Sequence, residues 1–129
     1  MIRGIVLAAV LLVTASSAFA DDAAKSPAFE ACSAKAHGAT FPLLHCYAQE
    51  MQSRDDAMTA AYNVALAAAT DPRTKGFLQT SQTAWESYRD AWCEAQVSRS
   101  GSLARLKLME CRLRETAIRT AALTGLAIR

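Results

Sequence analysis

Apolar residues along this chain recur every three or four positions between four marked breaks, and no stretch alternates with period two. The first spacing places side chains on one face of an α-helix, whereas the second would have marked strands. The breaks fall at Ser26-Pro27, Gly38 to Pro42, Thr70-Asp71-Pro72 and Ser98 to Ser102. Between them Ala, Gln, Leu, Arg and Glu predominate, all good helix formers. Ser26 is placed to cap a short helix that starts at Pro27 and ends near Gly38. Thr40 caps a second helix to about Ala69, Asp71 a third to about Ser98, and Ser102 opens a fourth to about Leu126. The expected fold is therefore all-α, a small bundle of one short and three long helices.

Each long helix carries an apolar stripe that reads as core. The second presents Tyr47, Met51, Met58, Tyr62, Ala65 and Ala69. The third presents Phe77, Ala84, Trp85, Tyr88, Trp92 and Ala95, and the fourth Leu106, Met109, Leu113, Ala117 and Thr120. Leu108, Cys111 and Ile118 lie off the fourth stripe, so that helix is expected to be covered on two sides, by its own domain or by a second copy. Beside the third stripe, steps of seven and four put Gln82, Arg89 and Cys93 on one line. Asp55 borders the buried face of the second helix. A charge at the edge of a core needs a partner, so Asp55, Arg89, Asp90 and Arg119 are expected to form a partly buried ion-pair network. Arg105, Arg112 and Arg119 recur every seven residues and read as a solvated basic face.

The length of 129 residues supports one domain. A formal charge of +2 lacks the strongly basic balance of nucleic-acid binders. Arg3 followed by the apolar run Ile5 to Val13 and by Ala18-Phe19-Ala20 has the form of a secretory signal cleaved after Ala20. A membrane anchor would need roughly 20 apolar residues, so no stable anchor is expected after cleavage. The mature domain is then 21–129, periplasmic or secreted. Its charge is uneven: residues 21–98 carry 6 basic and 10 acidic side chains, and residues 99–129 carry 7 basic and 2 acidic.

Export makes the cysteines legible. Cys32, Cys46, Cys93 and Cys111 form an even set in a small exported domain, which points to two disulfides. Of the three possible pairings, Cys32–Cys46 and Cys93–Cys111 are favoured, because each staples two consecutive helices across their turn. Loops this short contribute roughly 3 kcal/mol each in the chain-entropy model. A zinc site is the rival reading, but there is no Cys-x-x-Cys pair and His37 and His45 have the wrong spacing. The residues present neither a nucleophile with a base in reach nor a phosphate loop nor a cofactor fingerprint. No catalytic residue, metal or cofactor is expected, and the chain does not read as an enzyme.

The segment Gln82-Thr83-Ala84-Trp85-Glu86-Ser87-Tyr88-Arg89-Asp90-Ala91-Trp92-Cys93 resembles the AQ-x-AW-x-x-YRD-x-x-C motif of the LprI-like lysozyme-inhibitor family. Cys111, Thr116, Arg119 and Leu123 match its C-x4-T-x2-R-x3-L pattern. Asp55, Met58 and Tyr62 follow D-x-x-L-N-x-x-Y, with Met for Leu and Thr59 for Asn. Gly101-Ser102 stands where the family has Gly-Gly-Ser, with Ser100 in place of the first Gly. The resemblance implies an exported, disulfide-bonded bacterial helical domain that inhibits lysozyme or a related peptidoglycan hydrolase. The alternative is an envelope interaction or immunity-type module with a different protein partner. Trp85, Tyr88 and Cys93 read as core and staple within the motif. Inhibition requires something to occupy a cleft that holds two carboxylates. The best candidate is the turn of Arg99, Ser100, Gly101 and Ser102 with Arg105, anchored by the favoured Cys93–Cys111 bond; the turn around His37, Gly38 and Thr40 is the second. An inhibitor this close to neutral gains little long-range steering toward strongly basic animal-type lysozymes.

Overall fold

The computed structural model describes residues 25–127; the expected signal segment 1–20 lies outside the described residues. Within them the chain forms α1 (Pro27–Lys35), α2 (Thr40–Ala68), α3 (Pro72–Val97) and α4 (Ala104–Ala127), with one 3₁₀ turn at Gly101–Leu103. No strand occurs among the described residues, and the all-α expectation holds. None of the described helices is long and apolar enough to cross a membrane.

Two expected caps are present. The Ser26 hydroxyl accepts from the Phe29 amide at 3.1 Å, with Pro27 in the first turn of α1. Asp71 accepts from the Thr74 amide at 2.8 Å, and this bond holds its carboxyl below the usual range. The other two helix starts differ from expectation. Thr40 lies inside α2, and Ala39 occupies the cap position without a side-chain bond. The chain turns earlier because His37 and Gly38 both adopt left-handed backbone, φ +46° and +76°, which closes α1 at Lys35. Ser102 sits within the 3₁₀ turn, so α4 begins two residues later.

Both favoured disulfides are formed. Cys32–Cys46 joins α1 to α2 and Cys93–Cys111 joins α3 to α4, with Cα separations of 5.7 and 5.6 Å. α4 is the central element: it packs against both α2 and α3, while α1 packs on α2. Its own domain thus covers α4 on two sides, and of its off-stripe residues Cys111 is buried and Ile118 remains exposed. One core cluster joins Phe29, Cys46, Tyr47, Met51 and Leu113; the other joins Met58, Ala65 and Leu123, with Tyr62 and Trp85 packed against it. The α2 and α4 stripes therefore face inward as expected.

The α3 stripe does not. Phe77, Tyr88 and Trp92 are 64, 52 and 43 % exposed, Ala84 and Ala95 are exposed, and only Trp85 is half-buried. The inward face of α3 is instead Leu78, Gln82, Cys93 and Val97, with Arg89 beside it. The cause is covalent as well as apolar. Cys93 must meet Cys111, and that bond turns the line carrying Gln82 and Arg89 toward α4.

Two carboxylates fasten the α1 end. Glu50, 4 % exposed, accepts from the Ser26 amide at 3.0 Å, from the Ser26 hydroxyl and from Arg54 at 3.0 Å. Burial alone would raise its pKa, but these donors outweigh it and hold the carboxyl below its usual 4.5. Glu110 accepts from the Tyr47 hydroxyl at 2.6 Å and from Lys25 at 3.2 Å, and is likewise held low. Lys25 also lies over the Phe29 and Tyr47 rings, 5.1 and 5.2 Å from their centroids.

Two outcomes are expected. A Cys93→Ala/Cys111→Ala variant should lose about 3 kcal/mol of unfolding free energy in urea; a loss below about 1 kcal/mol would show that packing alone holds the α3–α4 turn. Because Glu50 and Glu110 are depressed in the folded state, their stabilisation is complete above their usual 4.5 and is lost as the pH falls through the lowered values. Glu50→Gln should therefore flatten the acid limb of the stability profile, measured by urea titration from about pH 6 to about pH 3. An unchanged limb would remove Glu50 from the account.

Candidate functional site

Polar residues from three of the four motif segments converge on one seam among α2, α3 and α4. Arg89 on α3 donates through Nη1 to Asp55 Oδ1 on α2 and to Thr116 Oγ1 on α4, both at 3.2 Å, and through Nε to Asp90 Oδ1 at 3.1 Å. Thr116 is fully buried and the Arg89 side chain is 15 % exposed. Arg112 on α4 approaches Asp90 at 3.3 Å and Glu94 at 3.9 Å. Burial pushes the Asp55 carboxyl up from its usual 3.8, against the pull of Arg89 and with the repulsion of Asp56 and Asp90.

Two turns earlier on α3, Gln82 links the same helices. Its Nε2 contacts Met58 Sδ at 3.1 Å and donates to Glu86 at 3.2 Å, while its Oε1 accepts from Arg119 Nε at 3.0 Å. Arg119 also donates to the Ser81 hydroxyl at 3.0 Å. The Trp85 ring carries both guanidinium groups, Arg89 at 5.1 Å and Arg119 at 5.8 Å. Tyr62 packs beside Trp85 in the second core cluster. The expected network thus forms around Asp55, Arg89 and Asp90, but Arg119 is bound by neutral acceptors and pairs with no acid among the described residues. The expected solvated arginine face is also corrected: α3 lies along it, so Arg112 and Arg119 are engaged and Arg105 alone of the three is exposed.

The turn from α3 to α4 is fully outside this seam. Arg99, Gly101, Ser102 and Arg105 are exposed and Ser100 is half-buried. The turn is held from within, by the Ser100 amide on the Val97 carbonyl at 2.8 Å and the Leu103 amide on the Ser100 carbonyl at 3.3 Å. Gly101 has φ +56°, a conformation that favours glycine, whereas Ser100 has φ −88°, open to any residue. That difference explains why serine is accepted at 100 and glycine is kept at 101. Neither Arg99 nor Arg105 makes an ion pair among the described residues.

Two other surfaces stand out. Tyr88 and Trp92, expected in the core, stand in solvent with ring planes 10° apart and centroids 6.3 Å apart. The sequence held a signal for this, since Cys93 shares its line with Gln82 and Arg89 and not with the aromatic residues. A cleft of about 400 Å³ lies between α1 and α2, lined by Lys35, His45 and Gln49 beside the Cys32–Cys46 bond. Among the described residues no three His, Cys, Asp or Glu side chains converge as a metal site, and all four cysteines are oxidised.

A family model described as Lysozyme inhibitor LprI matches residues 32–123, a span that takes in both disulfides and the whole seam. No curated protein and no solved structure matches the chain.

The seam carries a direct expectation for stability. Removing one partner of a fully buried pair costs about 3–5 kcal/mol. Asp55 is 40 % exposed, so water recovers part of this, and Arg89→Ala should lose about 2 kcal/mol. Arg105→Ala, at an exposed site, should stay within about 0.5 kcal/mol. Equal urea midpoints for the two variants would contradict the seam as a structural joint.

Proposed function

The chain belongs to the LprI lysozyme-inhibitor family, and from that premise we propose that it is an exported proteinaceous inhibitor of lysozyme or a related peptidoglycan hydrolase. The observation that carries this reading is the match over residues 32–123. Two disulfides in a domain of this size suit an oxidising compartment outside the cytoplasm, and we place the protein in the periplasm or the medium, with its signal removed after Ala20.

Its mode of action, in this reading, is occlusion of the active-site cleft without chemistry. The proposed contact is the turn of Arg99, Ser100, Gly101 and Ser102 with Arg105. Guanidinium groups give forked, charge-assisted hydrogen bonds to carboxylates, and a glycosidase cleft presents two of these. The turn suits the task because its own amide bonds and the Cys93–Cys111 staple at its base order it before binding. A pre-ordered loop loses less conformational freedom on association. Its arginines are also free of acidic partners among the described residues, unlike Arg89 and Arg112 of the seam.

The test is inhibition of cell-wall lysis by animal-type, goose-type and bacterial muramidases, followed as turbidity. The oxidised protein should inhibit one class at stoichiometric amounts. An Arg99→Ala/Arg105→Ala variant should inhibit at least about tenfold more weakly, the loss common for central arginine anchors. Unchanged inhibition by the folded double variant would remove the turn from the contact while leaving the inhibitor reading in place.

A further inference from the structure

The outer face of α3 is turned away from the core, and the bundle touches it at the Ser81 hydroxyl, which accepts from Arg119. Phe77, Ala84, Tyr88, Trp92 and Ala95 follow one another at helical steps and are all exposed. They span about 27 Å at 1.5 Å per residue. Exposed apolar stripes of this kind mark interaction sites more often than chance. Tyrosine and tryptophan are the residues that most often carry binding energy, because they bury much surface at little rotameric cost. The near-parallel Tyr88 and Trp92 rings stand at the centre of the C-terminal half.

Charge indicates the occupant. The acids of the same helix are all turned elsewhere: Glu86 accepts from Gln82, and Asp90 and Glu94 face Arg112 on α4. The stripe itself holds no acid, and an arginine stands at each end. Arg73 lies over the Phe77 ring at 5.6 Å, and Arg99 is exposed in the turn two residues past the end of α3. A second copy of this chain is a poor fit. Pairing two such faces antiparallel sets Arg73 against the partner's Arg99, and pairing them parallel sets like against like. A cleft that holds two carboxylates is the complementary partner in charge, since the stripe carries no acid and has an arginine near each end.

We propose that this outer face of α3 is the docking surface for the acidic, glycan-binding cleft of a peptidoglycan hydrolase, with Tyr88 and Trp92 as its aromatic anchors and Arg99 as the point where face and turn meet. The proposal rests on the inhibitor reading and extends its contact from the turn along the helix.

The test uses the oxidised protein purified after export, with inhibition constants measured against the muramidase it inhibits. Trp92→Ala should weaken inhibition at least tenfold. Ala84→Glu and Ala84→Lys, both helix-compatible at an exposed position, separate charge from bulk. An acidic cleft makes the Glu variant at least fivefold worse than the Lys variant. All variants should keep the wild-type circular dichroism and thermal midpoint. If the wild type inhibits and all three variants inhibit equally well, the α3 face is excluded and the inhibitor reading stands. If the two Ala84 variants lose inhibition equally, the acidic occupant is excluded. If sedimentation at inhibitory concentrations shows a dimer that Trp92→Ala dissociates, the occupant is a second copy and the proposal is overturned. A wild type that inhibits no muramidase overturns both readings together.

Discussion

One guanidinium, that of Arg89, joins the three long helices. α2 and α3 each lie against α4, and Arg89 reaches from α3 to Asp55 on α2 and to the buried Thr116 on α4. Only a side chain with several fixed donors can satisfy acceptors on two helices and on its own at once. Trp85 covers it from one side, and Asp90 carries the connection on to Arg112. Because a half-buried cation without partners is costly, this joint fixes the rotation of α3 about its axis. The face that meets the seam turns in, and the aromatic face turns out.

That rotation marks where sequence reading succeeds and where it fails. On α2, Tyr47, Met51, Met58 and Ala65 belong to one apolar face with no competitor, and all four are buried. On α4, Leu113 and Ala117 were equally legible, as were the caps at Ser26 and Asp71 and both cysteine pairs. α3 offers two faces of helical period, one aromatic and one mixing Leu78, Gln82, Arg89, Cys93 and Val97. Hydrophobicity favours the first as core. The disulfide and the need of Arg89 for acceptors decide for the second, and those are tertiary facts that a periodicity does not contain. The two missed helix starts have local causes, a left-handed His37-Gly38 pair and a 3₁₀ turn ahead of α4.

The same rotation separates the inward, scaffold-forming groups from the outward ones. Of the positions that carry the family resemblance, Asp55, Gln82, Trp85, Arg89, Asp90, Thr116 and Arg119 are engaged with one another. They specify how the bundle is assembled and leave the α3 stripe and the Arg99–Arg105 turn facing outward. Ala84, Tyr88, Gly101 and Ser102 are motif residues that face solvent instead. An inhibitor that works by filling a cleft needs this division: a stiff frame, held by two staples and a polar joint, beneath a surface tuned to one partner.

The most direct test of that account is the steady-state kinetics of the inhibited muramidase on a soluble glycan oligosaccharide, with both proteins recovered and weighed by mass spectrometry afterwards. Occlusion requires a rise in apparent KM at constant kcat, with both proteins unchanged in mass. A fall in kcat at constant KM, or a covalent change in either protein, would contradict it.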